Sequence, residues 1–152
     1  MNIQQQLSQV LETHRTGDHD TARAACADVL LHAPDHPDAH FVMGLIIQDT
    51  GDHAQAIQAL SRAIHMSPDR SDFHDALGVS EVAMGRKRHA MRCFAEAVRL
   101  DPSNRIAIMH MGVLCLGMGL PARAMACFDG LISLGEDIAS LRTLKGEALC
   151  QV

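Results

Sequence analysis

Apolar positions in this chain recur three and four residues apart, in runs that glycine, aspartate or proline cuts off. From His40 to Thr50 the apolar side chains include Phe41, Val42, Leu45 and Ile46, the spacing of one helical face. Gly51 then stops the run, a residue suited to a left-handed C-terminal cap. Asp52 follows as an N-cap. From Ala54 to Met66, Ala56, Ile57, Leu60, Ala63 and Ile64 repeat the pattern until Ser67-Pro68-Asp69 ends it. Asp35 to Asp38 and Asp101 to Asn104 carry the same turn chemistry, and Pro121 sits where a first helical turn tolerates it. The pattern predicts helices over 2–15, 19–31, 37–50, 53–66, 71–84, 87–100, 105–118 and 121–134, with a ninth near 137–151.

These runs form a repeat. Gly44, Gly78, Gly112 and Gly146 stand 34 residues apart, as do Gly17, Gly51, Gly85 and Gly119. Pro34, Pro68 and Pro102 form a third column, and Ala22, Ala56, Ala90 and Ala124 a fourth. A fixed period with small residues in fixed phase marks a stacked array of supersecondary units. Glycine inside a helix costs about 1 kcal/mol relative to alanine, so the first column needs a reason. Close approach of a partner helix supplies one, with the alanine column as the matching small surface. On that reading Gly78→Leu costs more than about 2 kcal/mol through overpacking, whereas Gly78→Ala is mild or harmless.

Composition narrows the class. Hydrophobic residues make up 47% of the 152, enough for every helix to bury a face, but aromatics are only 3%, so the core is aliphatic. The net charge of −5 and the lack of Trp and Tyr argue against a nucleic-acid surface and against an anionic membrane. No apolar run approaches the roughly 20 residues of a spanning helix. The Gln-rich start has neither the charge nor the apolar stretch of a signal peptide. Five cysteines without close pairs (Cys26, Cys93, Cys115, Cys127, Cys150) read as reduced thiols of a cytoplasmic protein. Cys93 and Cys127 share a phase beside Phe94 and Phe128, which favours small core residues over nucleophiles or ligands.

With these columns in place, the chain resembles the tetratricopeptide repeat family. The second repeat, 37–70, offers Gly44, Gly51, Ala56, Leu60, Ala63 and Pro68; the third, 71–104, offers Gly78, Gly85, Ala90, Phe94, Ala97 and Pro102. Both match the family's small, Gly, Ala, bulky, Ala and Pro places throughout. The first repeat, 3–36, keeps Gly17, Ala22 and Pro34 but has Val10, Cys26 and Val29 elsewhere. The fourth, 105–138, keeps Gly112, Gly119, Ala124 and Phe128, then departs with Leu131 and Glu136. Departures at the ends suit terminal repeats. The resemblance implies an all-α fold: a single domain over 1–152 in which four antiparallel helix pairs stack into a right-handed superhelical solenoid, closed by a C-terminal helix over 139–152.

It also implies a concave groove lined by the first helix of each repeat. The family's groove phases fall on Leu7, Leu11, His14 and Arg15 in the first repeat, and on Asp38, Phe41, Leu45, Gln48 and Asp49 in the second. In the third they fall on Asp72, Asp75, Val79 and Val82, and in the fourth on Ile106, Met109, Val113 and Leu116. Such a groove has an apolar floor with acids along one edge. For Leu45, Val79 and Val113 burial between helices competes with this reading, while Phe41 and Met109 are expected to be exposed. Some family members hold a chaperone's C-terminal carboxylate in a Lys, Arg and Asn clamp. Those places here hold Leu7, Leu11, Phe41, Leu45, Asp75 and Val79, so that ligand is disfavoured.

Other constellations carry less. His32, His36 and His40 are spaced by four, but Pro34 and Pro37 interrupt any shared helix, so turn histidines are expected rather than a metal site. Arg86, Lys87, Arg88, Arg92 and Arg99 form a basic patch around one second helix, which reads as a solvated convex face. The nine methionines fall mostly on packing phases. No phosphate loop, nucleophile elbow or zinc-protease motif appears, and neither cofactor nor metal is expected. The chain is therefore expected to be a non-catalytic module that takes a partner peptide or helix in its groove. Two alternatives are a chaperone of the type III secretion kind, and the repeat region of a larger glycosyltransferase- or methyltransferase-like enzyme. Leu141, Leu144, Leu149 and Val152 leave the last helix without an evident polar cover, so self-association through 137–152 or through the groove is a further expectation.

Overall fold

The computed structural model describes residues 1–136 together with Ala139, Leu141 and Gly146. Eight α-helices follow one another: α1 (Ile3–Arg15), α2 (His19–His32), α3 (Pro37–Asp49), α4 (His53–Met66), α5 (Ser71–Ala83), α6 (Lys87–Leu100), α7 (Arg105–Gly117) and α8 (Pro121–Ser133). There is no strand among the described residues. Ala139, Leu141 and Gly146 are helical; the rest of the expected ninth helix lies outside the described residues.

The ends of these helices follow from local chemistry. Asp18 and Asp52 accept hydrogen bonds from the amides of Thr21 and Gln55 and so cap α2 and α4. Asn2 and Gln5 form a reciprocal capping box at α1. Pro37 and Pro121 open α3 and α8 in the first turn, where their missing N–H costs nothing. Each first helix ends at a glycine in the left-handed region, with φ of +88° at Gly17 and Gly51, +74° at Gly85 and +69° at Gly119. Any other L-residue would be strained there.

Within each pair the mid-helix glycine is a notch for one bulky side chain. A Cβ at Gly78 would lie 2.5 Å from Cε1 of Phe94, one at Gly112 2.6 Å from Cε1 of Phe128, and one at Gly44 2.7 Å from Cγ of Leu60. Close approach is thus the reason for the column, but the partner differs from the expected small surface. The alanines are fully buried, yet it is the leucine or phenylalanine four residues later that enters the notch. That geometry also corrects the expectation for Gly78→Ala. The Phe94 ring is 1% exposed, and a methyl group 2.5 Å from its edge must push it out of the notch, away from its packed position. At Gly146 no described atom comes within 4 Å of a Cβ, and α1 has Val10 in this place, so the notch belongs to the pairs α3–α4, α5–α6 and α7–α8.

Between pairs, each second helix packs on the next first helix, α2 on α3, α4 on α5 and α6 on α7. First helices also touch one another, α1 with α3, α3 with α5 and α5 with α7, whereas no two second helices do among the described residues. An array whose odd members meet while its even members splay must curve with α1, α3, α5 and α7 on the inside. His40 and His74 secure the turns between pairs: each donates through Nε2 to the carbonyl of Pro34 or Pro68, at 2.7 and 2.8 Å. They are structural ties, not members of a metal face. The fourth repeat ends differently. Leu131, in the family's alanine place, is fully buried, and Gly135 (φ +86°) makes the turn that proline makes elsewhere. Leu141 is buried against the α7–α8 core, so this side chain does not lie bare. Leu144, Leu149 and Val152 lie outside the described residues.

The described cysteines are free thiols. Cys26 is buried and donates weakly to the Ala39 carbonyl at 3.4 Å. Burial pushes the thiols of Cys26, Cys93 and Cys127 up from 9.0 to about 11; the Glu81 charge adds to the effect at Cys93, and Cys115 at Cys127. A thiol that resists ionisation is a poor nucleophile, which suits residues that pack.

Two outcomes follow. Gly78→Ala should destabilise by about 1–2 kcal/mol in urea unfolding, because overpacking outweighs the helix-propensity gain; adding Phe94→Leu should recover part of the loss. Raised thiol pKa values also make stability pH-dependent. The unfolded chain ionises first, near pH 9, so this stability is intact below pH 9 and declines as pH rises toward 11. Replacing Cys26, Cys93 and Cys127 by alanine should flatten that decline in unfolding curves compared across this range.

Candidate functional site

The inner face carries a run of cavities where α3, α5 and α7 meet. The largest, about 510 Å³, lies between α5 and α7. Val79, Val82 and Ala83 line it from α5, His110, Val113, Leu114 and Gly117 from α7, and Phe94 and Lys87 from α6. A second, about 370 Å³, lies toward α3 and is lined by Phe41, Leu45, Gln48, Asp72, Asp75 and Ile106, among others. Val79 and His110 border both. A third, about 220 Å³, continues past Ile106, Met109 and His110 to Arg105 and Glu136. Together they make one channel across the concave side.

Its apolar lips are open to solvent. Ile106 is 64% exposed, Val113 46% and Val82 40%. Each of these aliphatic side chains borders one of the cavities. Beneath them Phe94 and Leu114 form a buried floor. Leu11, Phe41, Leu45, Val79 and Met109 are half-buried. Phe41 stacks on the fully buried Phe73 with ring centroids 4.6 Å apart. Leu7 and Leu116 sit in the N- and C-terminal core clusters. The exposed apolar positions are therefore Val82, Ile106 and Val113, and not Phe41 and Met109, which were expected to be exposed.

The acids are bonded within the chain. Arg70 reaches Oδ1 of Asp38 at 2.9 Å and Oδ2 of Asp72 at 2.7 Å, and its guanidinium lies 4.4 Å over the Phe73 ring. These carboxylates, Asp72 foremost, hold the Arg70 pKa above its usual value. Asp38 also accepts from Gln4. Asp75, nearly buried, pairs with Nδ1 of His110 at 2.8 Å, and Asp49 pairs with Nε2 of His14 at the same distance. Gln48 donates to the Ala76 carbonyl and to Ser80. Each of these bonds ties one first helix to the first helix of the next repeat, apart from those of Arg70, which stands in the turn before α5. The carboxylates expected along the rim thus set repeat geometry, and one positive guanidinium offsets part of the charge of Asp38 and Asp72.

Sequence reasoning placed Lys87 in the convex patch and did not single out His110. Both line the channel. The signal for His110 was weak, since its phase holds Val42 and Ala76 in the other repeats. Of the rest of the patch, Arg86 pairs with the buried Glu81 at 2.7 Å and Arg99 with Glu96. No group of His, Cys, Asp or Glu among the described residues has the geometry of a metal site, and no described helix is long and apolar enough to cross a membrane.

Comparison with known proteins agrees with this architecture. No curated protein matches the sequence. The chain is similar in structure to Pseudomonas aeruginosa PilF, with a TM-score of 0.89 and 18% identity over 98% of this chain and 68% of that one. A thermophilic repeat protein of Thermus thermophilus superposes with a TM-score of 0.81 and 19% identity over 99% of this chain and 88% of its own. At these identities the likeness is one of fold. The O-GlcNAc transferase of Thermobaculum terrenum, in a mutant form, gives a TM-score of 0.79 and 28% identity over 84% of this chain, which spans only 25% of that protein. Two sequence models, each described as tetratricopeptide repeat, match residues 14–79 and 72–104. With the 34-residue columns, the notched helix pairs and these matches, the chain belongs to the tetratricopeptide repeat family.

Proposed function

We propose that this protein is a non-catalytic interaction module that takes a peptide or helix of a partner protein into its concave channel. The observation that carries this reading is the channel itself: aliphatic side chains exposed at 40–64% stand over a buried floor, on a face of interlocked helices. An apolar strip of that kind gains by being covered, at roughly 25 cal/mol per Å² of apolar surface removed from water. The surrounding polar groups are occupied in holding the repeats together, so the scaffold is organised before a partner arrives and little ordering cost remains. Helix-in-groove binding of an amphipathic segment fits the length and shape of such a strip. Phe41, Leu45, Val79 and Met109 extend the contact beyond Val82, Ile106 and Val113, and Asp38, Asp72 and Asp75 flank it. Leu7, Leu11, Gln48 and Leu116 support the lining helices from below or beside.

A second reading has its own observation. The similarity to the O-GlcNAc transferase, together with the small share of that protein it spans, fits a repeat region attached to a larger enzyme. In that case the channel would present a substrate or partner, and the chemistry would reside elsewhere. The secretion-chaperone alternative gains no separate support from the channel.

The test is capture of a cellular partner by immobilised wild-type protein and by a Val82→Asp, Val113→Asp variant. Both positions are exposed, so helicity and melting should be unchanged while capture falls at least about tenfold, since two carboxylates placed in an apolar contact must be desolvated. Capture that survives in the variant, and is lost instead in an Arg88→Ala, Arg92→Ala variant, would move the interface to the convex face.

A further inference from the structure

The largest cavity of the channel has an electrostatic character unlike the rest of the concave face. Its lining includes no acid. The polar side chains that reach it are Lys87 and His110, while the neighbouring cavity is bordered by Asp72 and Asp75. His110 has its Nδ1 committed to Asp75 at 2.8 Å, so that nitrogen is not available to a ligand in the cavity. Lys87 is different. Its Nζ donates to the Gly117 carbonyl at 3.1 Å, a neutral acceptor, and the residue is exposed. Among the described residues no carboxylate pairs with its charge, which stands at the mouth of an apolar cavity.

The helix that begins there adds to this. In the first two repeats the corresponding N-cap is an aspartate, Asp18 or Asp52, bonded to the first-turn amides. In the third it is Arg86, with no side-chain cap, and Arg86 is engaged with the buried Glu81. The first turn of α6 thus holds Lys87 and Arg88, no acid, and amides that no side chain caps. Cations at a helix N-terminus are unfavourable, and an anion there is favourable. Cavity, lysine and uncapped turn all ask for the same complement.

Building on the groove reading proposed above, we infer that the cavity between α5 and α7 takes an apolar side chain of the partner segment that is accompanied by a carboxylate, and that Lys87 selects the carboxylate. The apolar group fills the space over Phe94 and Leu114 between Val82 and Val113. The acid meets the Lys87 ammonium at the start of α6. Specificity at this end of the channel is then for acidic-apolar segments, the reverse of what the aspartates alone suggest. Charge complementarity of this sort sets partner choice and association rate more than raw affinity.

The probe is a fluorescein-labelled amphipathic helical peptide whose leucine face ends in Leu-Glu, with sibling peptides ending in Leu-Gln and Leu-Lys. Fluorescence anisotropy at low salt should give the order Glu, Gln, Lys, with about tenfold between the extremes, and the spread should narrow at high salt. Lys87→Glu should reverse the order while leaving melting unchanged, and Lys87→Gln should flatten it. Val113→Asp should weaken all three peptides. Equal binding of the three peptides that remains sensitive to Val113→Asp overturns the charge selection and leaves the groove reading standing. Preference for the lysine peptide also overturns it, as does an order unmoved by Lys87→Glu. Binding indifferent to Val113→Asp overturns the groove reading as well. Failure of every peptide to bind overturns the inference, and the partner-capture experiment then decides the groove on its own.

Discussion

One bulky side chain seated in a glycine notch holds each of the pairs α3–α4, α5–α6 and α7–α8, and the rest of the molecule is arranged around that contact. With Phe94 over Gly78 or Phe128 over Gly112, the ring takes the space that a Cβ on the facing helix would fill. The inserted ring also removes a large apolar area from water at a single point. Rigid pairs then stack, and because first helices meet while second helices splay, the stack curves. The concave face is a consequence of that unequal spacing. Phe94 serves both purposes: its edge fills the notch on α5, and its ring forms part of the floor of the largest cavity.

Polar bonds between successive repeats hold the curve. His14 with Asp49, Gln48 with Ser80, and Asp75 with His110 cross from one first helix to the next. Asn104 donates to Ser71, which in turn donates to the Ala97 carbonyl, joining the start of α7 to α5 and α6. Arg70 gathers Asp38 and Asp72. Few of these pairs are deeply buried, so each adds modestly to stability. Their collective effect is directional: hydrogen-bond geometry fixes how far one repeat turns relative to the next, which apolar packing alone leaves loose. The walls of the channel are thereby held in place by the chain's own bonds.

Much of this was legible in the residues. The glycine columns located the helix ends, and all five left-handed φ values in the described chain fall on glycines, four of them in one repeat phase. Asp52 announced its cap, and Pro121 its first turn. Local chemistry decides such features within a few residues, so a linear reading recovers them. The 34-residue period then carried the pairing of helices, because one repeat cannot bury its own apolar face. Less accessible was the identity of contacts across the period. The alanine column looked like the partner of the glycines, but the side chain four residues further along, one turn onward on the same face, enters the notch.

The sequence by itself determined an all-helical array of paired helices, the capping of its helices and the membership of its core. Only the tertiary structure decided which face is open and what charge it presents. Asp38, Asp72 and Asp75 read along the chain as free acids; in space Arg70, from the turn before α5, and His110, from the next repeat, lie against them. Lys87 read as one cation in a convex run; in space it stands at the mouth of the cavity between α5 and α7. Electrostatic potential depends on distances between residues some 30 positions apart, and those distances exist only once the repeats have stacked.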